Sequence, residues 1–285
     1  INQTITLEGI TNVDWEDLAA DGYYLYIADT GNNTNGARTD LAIYKINLDD
    51  IPLTGNAVIP SNRIETIQFY YPEPEQGLTP TPTGNNNTAY DCEAIVIRND
   101  IIHLFTKDWT SESSDNYKTT EYLLPNVPHP DGGKYPAKNF KDHSTTFLVT
   151  GADNAGINEV VLVGYQSSGW GNHYASVYSG FQGDDISTMG ANFSLNNAIS
   201  MGQVEAICFG EDPFVGYISN EKLVKVLTIK ATIKPFTISY SEANKTKITT
   251  GTAGGGIQGS IRYNSQRRHL EGFNGLYWIP LDIKK

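Results

Sequence analysis

Carboxylates recur in this chain at a fixed place in a repeated pattern. Glu16 stands in Asp14-Trp15-Glu16-Asp17-Leu18 and Glu93 in Asp91-Cys92-Glu93-Ala94-Ile95. Glu205 follows in Gln203-Val204-Glu205-Ala206-Ile207 and Glu271 in His269-Leu270-Glu271-Gly272-Phe273. After each comes a polar or glycine-containing turn and a second apolar run, so the unit reads as a hairpin with a carboxylate at its entrance. A more divergent unit offers Asp153. Several carboxylates gathered around one axis repel one another unless something compensates them. A hard cation does so, and Ca²⁺ accepts a loose shell of six to eight oxygens. The alternative is a latch in which each carboxylate accepts N–H bonds from a neighbouring strand and needs no ion. Glu16, Glu93, Asp153, Glu205 and Glu271 are the candidate metal ligands, with both roles open.

Two other groups of residues offer binding chemistry. Residues 29–40 are dense in oxygen donors, Asp29 and Asn32 among them, but lack the terminal bidentate Glu of a helix–loop–helix Ca²⁺ site. A hydrogen-bonded turn cluster is the competing explanation. Trp109, Tyr117, Trp170, His173 and Tyr174 lie among Asn, Asp and Ser, a composition that suits a platform for sugars or an extended polypeptide. Packing of those rings against the strand ends is the other reading. Nucleophilic catalysis has little support, because there is no Gly-x-Ser-x-Gly and the five His show no paired ligand spacing. No phosphate loop is present.

These side chains need strands to hold them. Asp21-Gly22 marks a tight hairpin turn, and alternating runs at 24–28, 42–46 and 64–70 continue the first unit. The second unit repeats the order at 93–97, 101–106, 121–124 and 145–149. The third runs through 159–165, 173–178 and 193–195, and the fourth through 205–207, 214–218, 223–229 and 236–240. A flexible stretch at 241–268 precedes a short last unit, while 5–7 is a strand to spare at the N-terminus. Such a repeat fits one all-β domain over residues 1–285. The expected fold is a five-bladed β-propeller, six-bladed in the alternative, closed by the N-terminal strand completing the last blade. The longest irregular stretches then gather on the face where the recurring Glu lies, which is where function concentrates on a rigid scaffold.

Composition narrows the partners. The chain has 285 residues and a net charge of −12, which excludes the basic footprint that nucleic acid or an anionic membrane requires. No apolar run approaches the length needed to span a bilayer, and no signal peptide is visible. The chain opens on Ile1, consistent with a processed form, and the composition favours an exported protein. Cys92 and Cys208 fall in hairpins of different units, so free buried thiols are expected rather than a disulfide.

The Asp/Gln-x-Glu repeats, with Asp29-Thr30-Gly31-Asn32-Asn33 after the first hairpin and Leu104-Phe105-Thr106-Lys107-Asp108-Trp109 after the second, resemble exported β-propeller proteins common in Bacteroidota. The Glu repeats are also similar to the SdiA-regulated and phytase-like propellers. That resemblance implies a secreted or cell-surface propeller and strengthens Ca²⁺ as the cofactor, with Glu16, Glu93, Glu205 and Glu271 on the recurring acidic position. The expected function is a non-enzymatic binding or assembly module that takes a protein or glycan on its long-loop face, around Asp29, Asn32, Trp109, Trp170 and His173. The alternative is a hydrolase, a glycosidase working with two channel carboxylates or a phytase-like phosphoesterase. Scattered basic residues count against the latter.

Overall fold

In the computed structural model the described residues are 3–72, 74, 76–114, 117–155, 159–166, 172–179, 189–197, 203–210 and 215–221, with strand segments 223–224, 228–229, 232–241, 245–249, 261–264, 269–273 and 278–280. The chain is all-β, and among the described residues helical structure is confined to three short 3₁₀ turns. No helix among them is long and apolar enough to cross a membrane.

The strands, in chain order, begin with β1 (Ile5–Leu7), β2 (Trp15–Ala20), β3 (Tyr24–Asp29), β4 (Ala42–Asn47), β5 (Ala57–Ile59) and β6 (Ile64–Tyr70). Next come β7 (Asp91–Arg98), β8 (Ile101–Lys107), β9 (Lys118–Pro125), β10 (Tyr135–Pro136) and β11 (Lys138–Ser144). The third group is β12 (Leu148–Asn154), β13 (Glu159–Tyr165), β14 (Asn172–Ser179) and β15 (Met189–Asn197). The fourth is β16 (Gln203–Phe209), β17 (Val215–Glu221), β18 (Leu223–Val224), β19 (Thr228–Ile229), β20 (Thr232–Ser241) and β21 (Lys245–Thr249). The last is β22 (Ile261–Asn264), β23 (His269–Phe273) and β24 (Trp278–Pro280). Antiparallel meanders result: β2-β3-β4-β6, β7-β8-β9-β11, β12-β13-β14-β15, β16-β17-β20-β21 and a three-stranded β22-β23-β24, numbered here as sheets one to five. Local turn chemistry accounts for the hairpins. Asp21 accepts the N–H groups of Tyr23 and Tyr24 beside Gly22 at φ +92°. Asn99 and Asp100, both at positive φ, form the two-residue turn between β7 and β8.

Consecutive sheets pack face to face. Ala19, Tyr26, Ile43 and Phe69 of the first meet Ile95, Leu104 and Tyr122 of the second. The second turns Ala94, Val96 and Phe105 to Val149, Leu162 and Tyr178 of the third, and the third offers Val161, Val163 and Val177 to Val204, Ile207 and Ile218 of the fourth. Buried on both faces, β7 and β13 read as continuous apolar runs rather than alternating ones. The first strands are themselves neighbours, β2 beside β7, β7 beside β12 and β12 beside β16. Side chains tie the sheets: Thr30 Oγ1, just after β3, donates to Cys92 O of β7, Asn154 Nδ2 of β12 to Ile97 O of β7 and Thr150 Oγ1 of β12 to Val204 O of β16. Gly151 lets β12 and β16 approach, since a Cβ there would stand 2.9 Å from the Ala206 backbone.

Several boundaries differ from expectation. The N-terminal strand does not join the last sheet; β1 pairs in parallel with β5, and together they cover Ile27 and Ile46 on the outer face of sheet one. The burial of Ile5 and Leu7 in that small cluster decides the partner. The fourth strand of the second unit is β11 rather than 145–149. Its sequence, Lys-Asn-Phe-Lys-Asp-His-Ser, is that of an exposed edge and shows no apolar alternation, while the apolar residues after it open β12. In the fourth unit, 223–229 forms only the short β18–β19 pair, and β20 and β21 complete the sheet. Both cysteines are free, Cys92 buried as expected but Cys208 exposed.

Candidate functional site

The first strands of sheets one to four share one irregularity. Each has a β-bulge against its hairpin partner, at Glu16 in β2, Glu93 in β7, Thr150 in β12 and Glu205 in β16. A bulge inserts a residue that opposes nothing on the partner strand and re-aims its side chain. The register also makes a correction. The position equivalent to the repeated Glu in the third sheet is Thr150, not Asp153, which lies three residues further along. Asp153 is a latch, with Oδ2 accepting Phe209 N of β16 at 2.7 Å and Oδ1 accepting Asn154 N at 2.7 Å.

Glu16, Asp91 and Glu93 converge so that one carboxylate oxygen from each lies within 4.8 Å of the others. Asp14 joins them, its carboxyl and that of Glu16 both lying against Gly31, and burial pushes the Asp14 carboxyl above the ordinary carboxylate range. Burial, then the charges of Asp91 and Asp14, push Glu16 up to about 8. Asp14 and Asp91 each stand two residues before a bulged Glu, Glu16 and Glu93. Gly31 forms the floor: a Cβ there would overlap Glu16 Oε1 and Asp14 Oδ2.

Lys107, at the end of β8, is the internal counter-charge. Its Nζ donates to Glu93 Oε1 at 2.8 Å and Oε2 at 3.0 Å, and lies over the rings of Trp109 at 4.5 Å and Tyr165 at 5.0 Å. Burial alone would lower the ammonium's pKa, but Glu93, with Tyr165 and Glu205 behind it, holds it above the ordinary lysine range. Asp91 Oδ1 accepts Asn32 N at 2.5 Å and Oδ2 accepts Trp109 Nε1 at 2.7 Å. On the far side Gln203 Nε2 donates to Tyr165 OH at 2.7 Å, and Glu205 contributes its charge to Glu16, Glu93 and Lys107.

The structure thus gathers Glu16 and Glu93 and adds Asp14, Asp91, Lys107 and Tyr165, with Glu205 acting on them through its charge. Trp109 stands at the edge, half-buried, and His173 is buried behind Tyr165 with ring centres 6.1 Å apart. Asp29 and Asn32 are turned inward: Asp29 accepts Asp14 N at 3.0 Å and pairs with Arg38 at 2.9 Å. Asn32 accepts Arg38 N and donates to Tyr90 O. Tyr117 is buried beside Leu148, and Tyr174 stacks on Phe147. Trp170 lies outside the described residues, as does the side chain of Glu271, whose backbone is in β23. Asp91 was legible as the first position of its Asp-x-Glu motif. Lys107 carried no such signal, because only the hairpin brings it to Glu93.

Burial pushes Asp153 up to about 6, against two backbone N–H bonds that pull it down. A carboxyl with a raised folded value contributes stability below its unfolded value near 3.9, and that contribution is lost as pH rises through about 6. Wild type is therefore expected to lose roughly 2 kcal/mol relative to Asp153→Asn between about pH 4 and pH 6.5 in urea unfolding. A difference that stays constant over that range would contradict the assignment.

Comparison with protein-family models and with curated proteins finds no match to this chain.

Proposed function

We propose that this chain is an extracellular β-propeller acting as a binding module, with Ca²⁺ held at its convergent bulges by Glu16, Asp91 and Glu93 and supported by Asp14. The observation that carries this reading is the same bulge in four successive first strands, with three carboxylates meeting beside it. Sheets one to four are then blades. The three strands β22-β23-β24 then belong to a fifth. Protein or glycan binds around Trp109, at the edge of the converging carboxylates, and the secreted or cell-surface setting follows the motifs' resemblance.

The hydrolase alternative is weaker on a specific ground. A glycosidase needs one protonated carboxyl and one free carboxylate as nucleophile or base. Glu16 suits the first role, but the Lys107 ammonium on Glu93 and the two N–H donors on Asp91 make both carboxylates poor nucleophiles, while each oxygen keeps a second lone pair for a cation.

Thermal melts in EDTA and in 10 mM Ca²⁺ test the proposal. For a site with Kd about 0.1 mM the ion adds about 2.7 kcal/mol, or about 4–5 °C in Tm for a chain of this size. Glu16→Gln is expected to abolish the shift. No shift in wild type overturns the cation, and turnover of glycosides or phosphate esters that Glu16→Gln removes without unfolding overturns the binding-only reading.

A further inference from the structure

A second group of titratable side chains takes no part in the converging acids: a carboxylate bridged by two imidazoles. His103 Nδ1 of β8 donates to Glu121 Oε1 of β9 at 2.6 Å, and His143 Nε2 of β11 donates to Glu121 Oε2 at 2.7 Å. An ionised carboxylate only accepts, so each ring carries a proton on the nitrogen that faces it. Burial alone would raise the Glu121 carboxyl, but the two imidazole bonds hold it below the ordinary glutamate range. His103 and Glu121 are fully buried and His143 nearly so, and with both rings neutral the bridge encloses one negative charge.

The far nitrogens differ. His103 Nε2 is buried without a partner, and its ladder neighbours Val96 and Leu123 have no acceptor on their side chains. A proton added there leaves a buried N–H unsatisfied. Arg98, two residues beyond Val96 in β7 and bonded to Asn154 Oδ1 at 3.5 Å, opposes it with a like charge. Tyr178 of β14 faces the bridge from sheet three, with its ring 5.6 Å from that of His143. Burial, then the Glu121 charge, push the Tyr178 hydroxyl up to about 12. Lys141, opposite Glu121 in the ladder, is half-buried, and Asp142 is taken by Thr120 Oγ1 and Lys118. The other ionisable groups of sheet three are turned elsewhere. Asp153 goes to Phe209 N, Glu159 with Val161 toward sheet four, Tyr165 toward Lys107 with His173 behind it, and Tyr174 onto Phe147. The strand β15 carries no ionisable residue.

We propose that the His103–Glu121–His143 bridge is an acid-sensitive joint on the face of sheet two that meets sheet three: it takes one proton, at His143, and a second, at His103, breaks it. The three groups titrate as one unit. One imidazolium against the carboxylate removes the enclosed charge, whereas two restore a charge of opposite sign and strand the His103 N–H. The unfolded chain has no such limit, since free imidazoles take protons around the ordinary value of about 6.5. The folded state then binds one proton fewer, so stability falls as pH falls below that value, by about tenfold in the unfolding equilibrium constant per pH unit.

Two measurements test this. Side-chain ¹⁵N NMR spectra of the folded protein from about pH 8 to about pH 5 are expected to show imidazolium at His143 and a neutral Nδ1–H ring at His103. Imidazolium at His103, or at neither ring, overturns the proposal. In urea unfolding over the same range, His103→Asn keeps an N–H donor for Glu121 but does not titrate. Below about pH 6 its unfolding constant is expected to rise less steeply than that of wild type, by about tenfold per unit. Equal slopes overturn the proposal, and if the variant does not fold the wild-type spectra decide.

Discussion

Asp17→Ala is expected to destabilise the protein by about 2–6 kcal/mol, the sum of two donors each left without its acceptor. Asp17 is 6% exposed, and its Oδ2 accepts Ile95 N of β7 at 2.8 Å while Oδ1 accepts Leu18 N at 2.8 Å. Ile95 lies in β7, so one side chain of sheet one holds the first strand of sheet two. Asp17→Asn retains one acceptor oxygen and is expected to cost less than the alanine variant. Urea unfolding followed by tryptophan fluorescence gives both values. A cost below about 1 kcal/mol for Asp17→Ala, in the range of an ordinary surface change, would show that the strands hold together without it.

The second large effect falls on the site while leaving most of the fold in place. In Gly31→Ala the new methyl overlaps Glu16 Oε1 and the Asp14 carboxylate, whose backbones are fixed by β2 and by the Asp14 N–Asp29 bond. Two carboxyl groups must swing away from Asp91, because Gly31 N is itself bonded to Asp14 O and cannot retreat. Losing two of the converging oxygens is expected to weaken divalent-ion binding at least 100-fold, about 2.7 kcal/mol. The far-ultraviolet circular dichroism of the variant should match wild type. Calorimetric titration with Ca²⁺ measures the loss, and wild-type affinity in Gly31→Ala would mean that Asp14 and Glu16 do not contribute.

How far these features could be read from the chain depends on which force sets each of them. The hairpins were legible because turn residues and apolar periodicity act locally, as at Asp21-Gly22 and residues 101–106. The edge strand β11 was not, since its stability comes from backbone pairing with β9 and its exposed side chains carry no apolar pattern. The partner of β1 was also hidden: Ile5 and Leu7 would suit any apolar face, and only the presence of Ile59 and Ile46 nearby selects β5. At the site, the Glu of each repeat was visible, but its bulge was not. A bulge is a register event between two strands, so Thr150 could not be aligned with Glu16 and Glu93 by residue type, and Asp153 took its place. Lys107 and Tyr165 come from second strands of their hairpins, where sequence distance conceals their approach to Glu93.

Terbium luminescence tests the convergent site most directly, because Trp109 donates its indole N–H to Asp91 and so lies beside any ion held there. Excitation of tryptophan in the Tb³⁺-loaded protein should give sensitised green emission that excess Ca²⁺ displaces and that disappears in Glu16→Gln and falls sharply in Trp109→Phe. Emission that is absent from wild type, or that persists undiminished in Glu16→Gln, would contradict a cation at the meeting point of Glu16, Asp91 and Glu93.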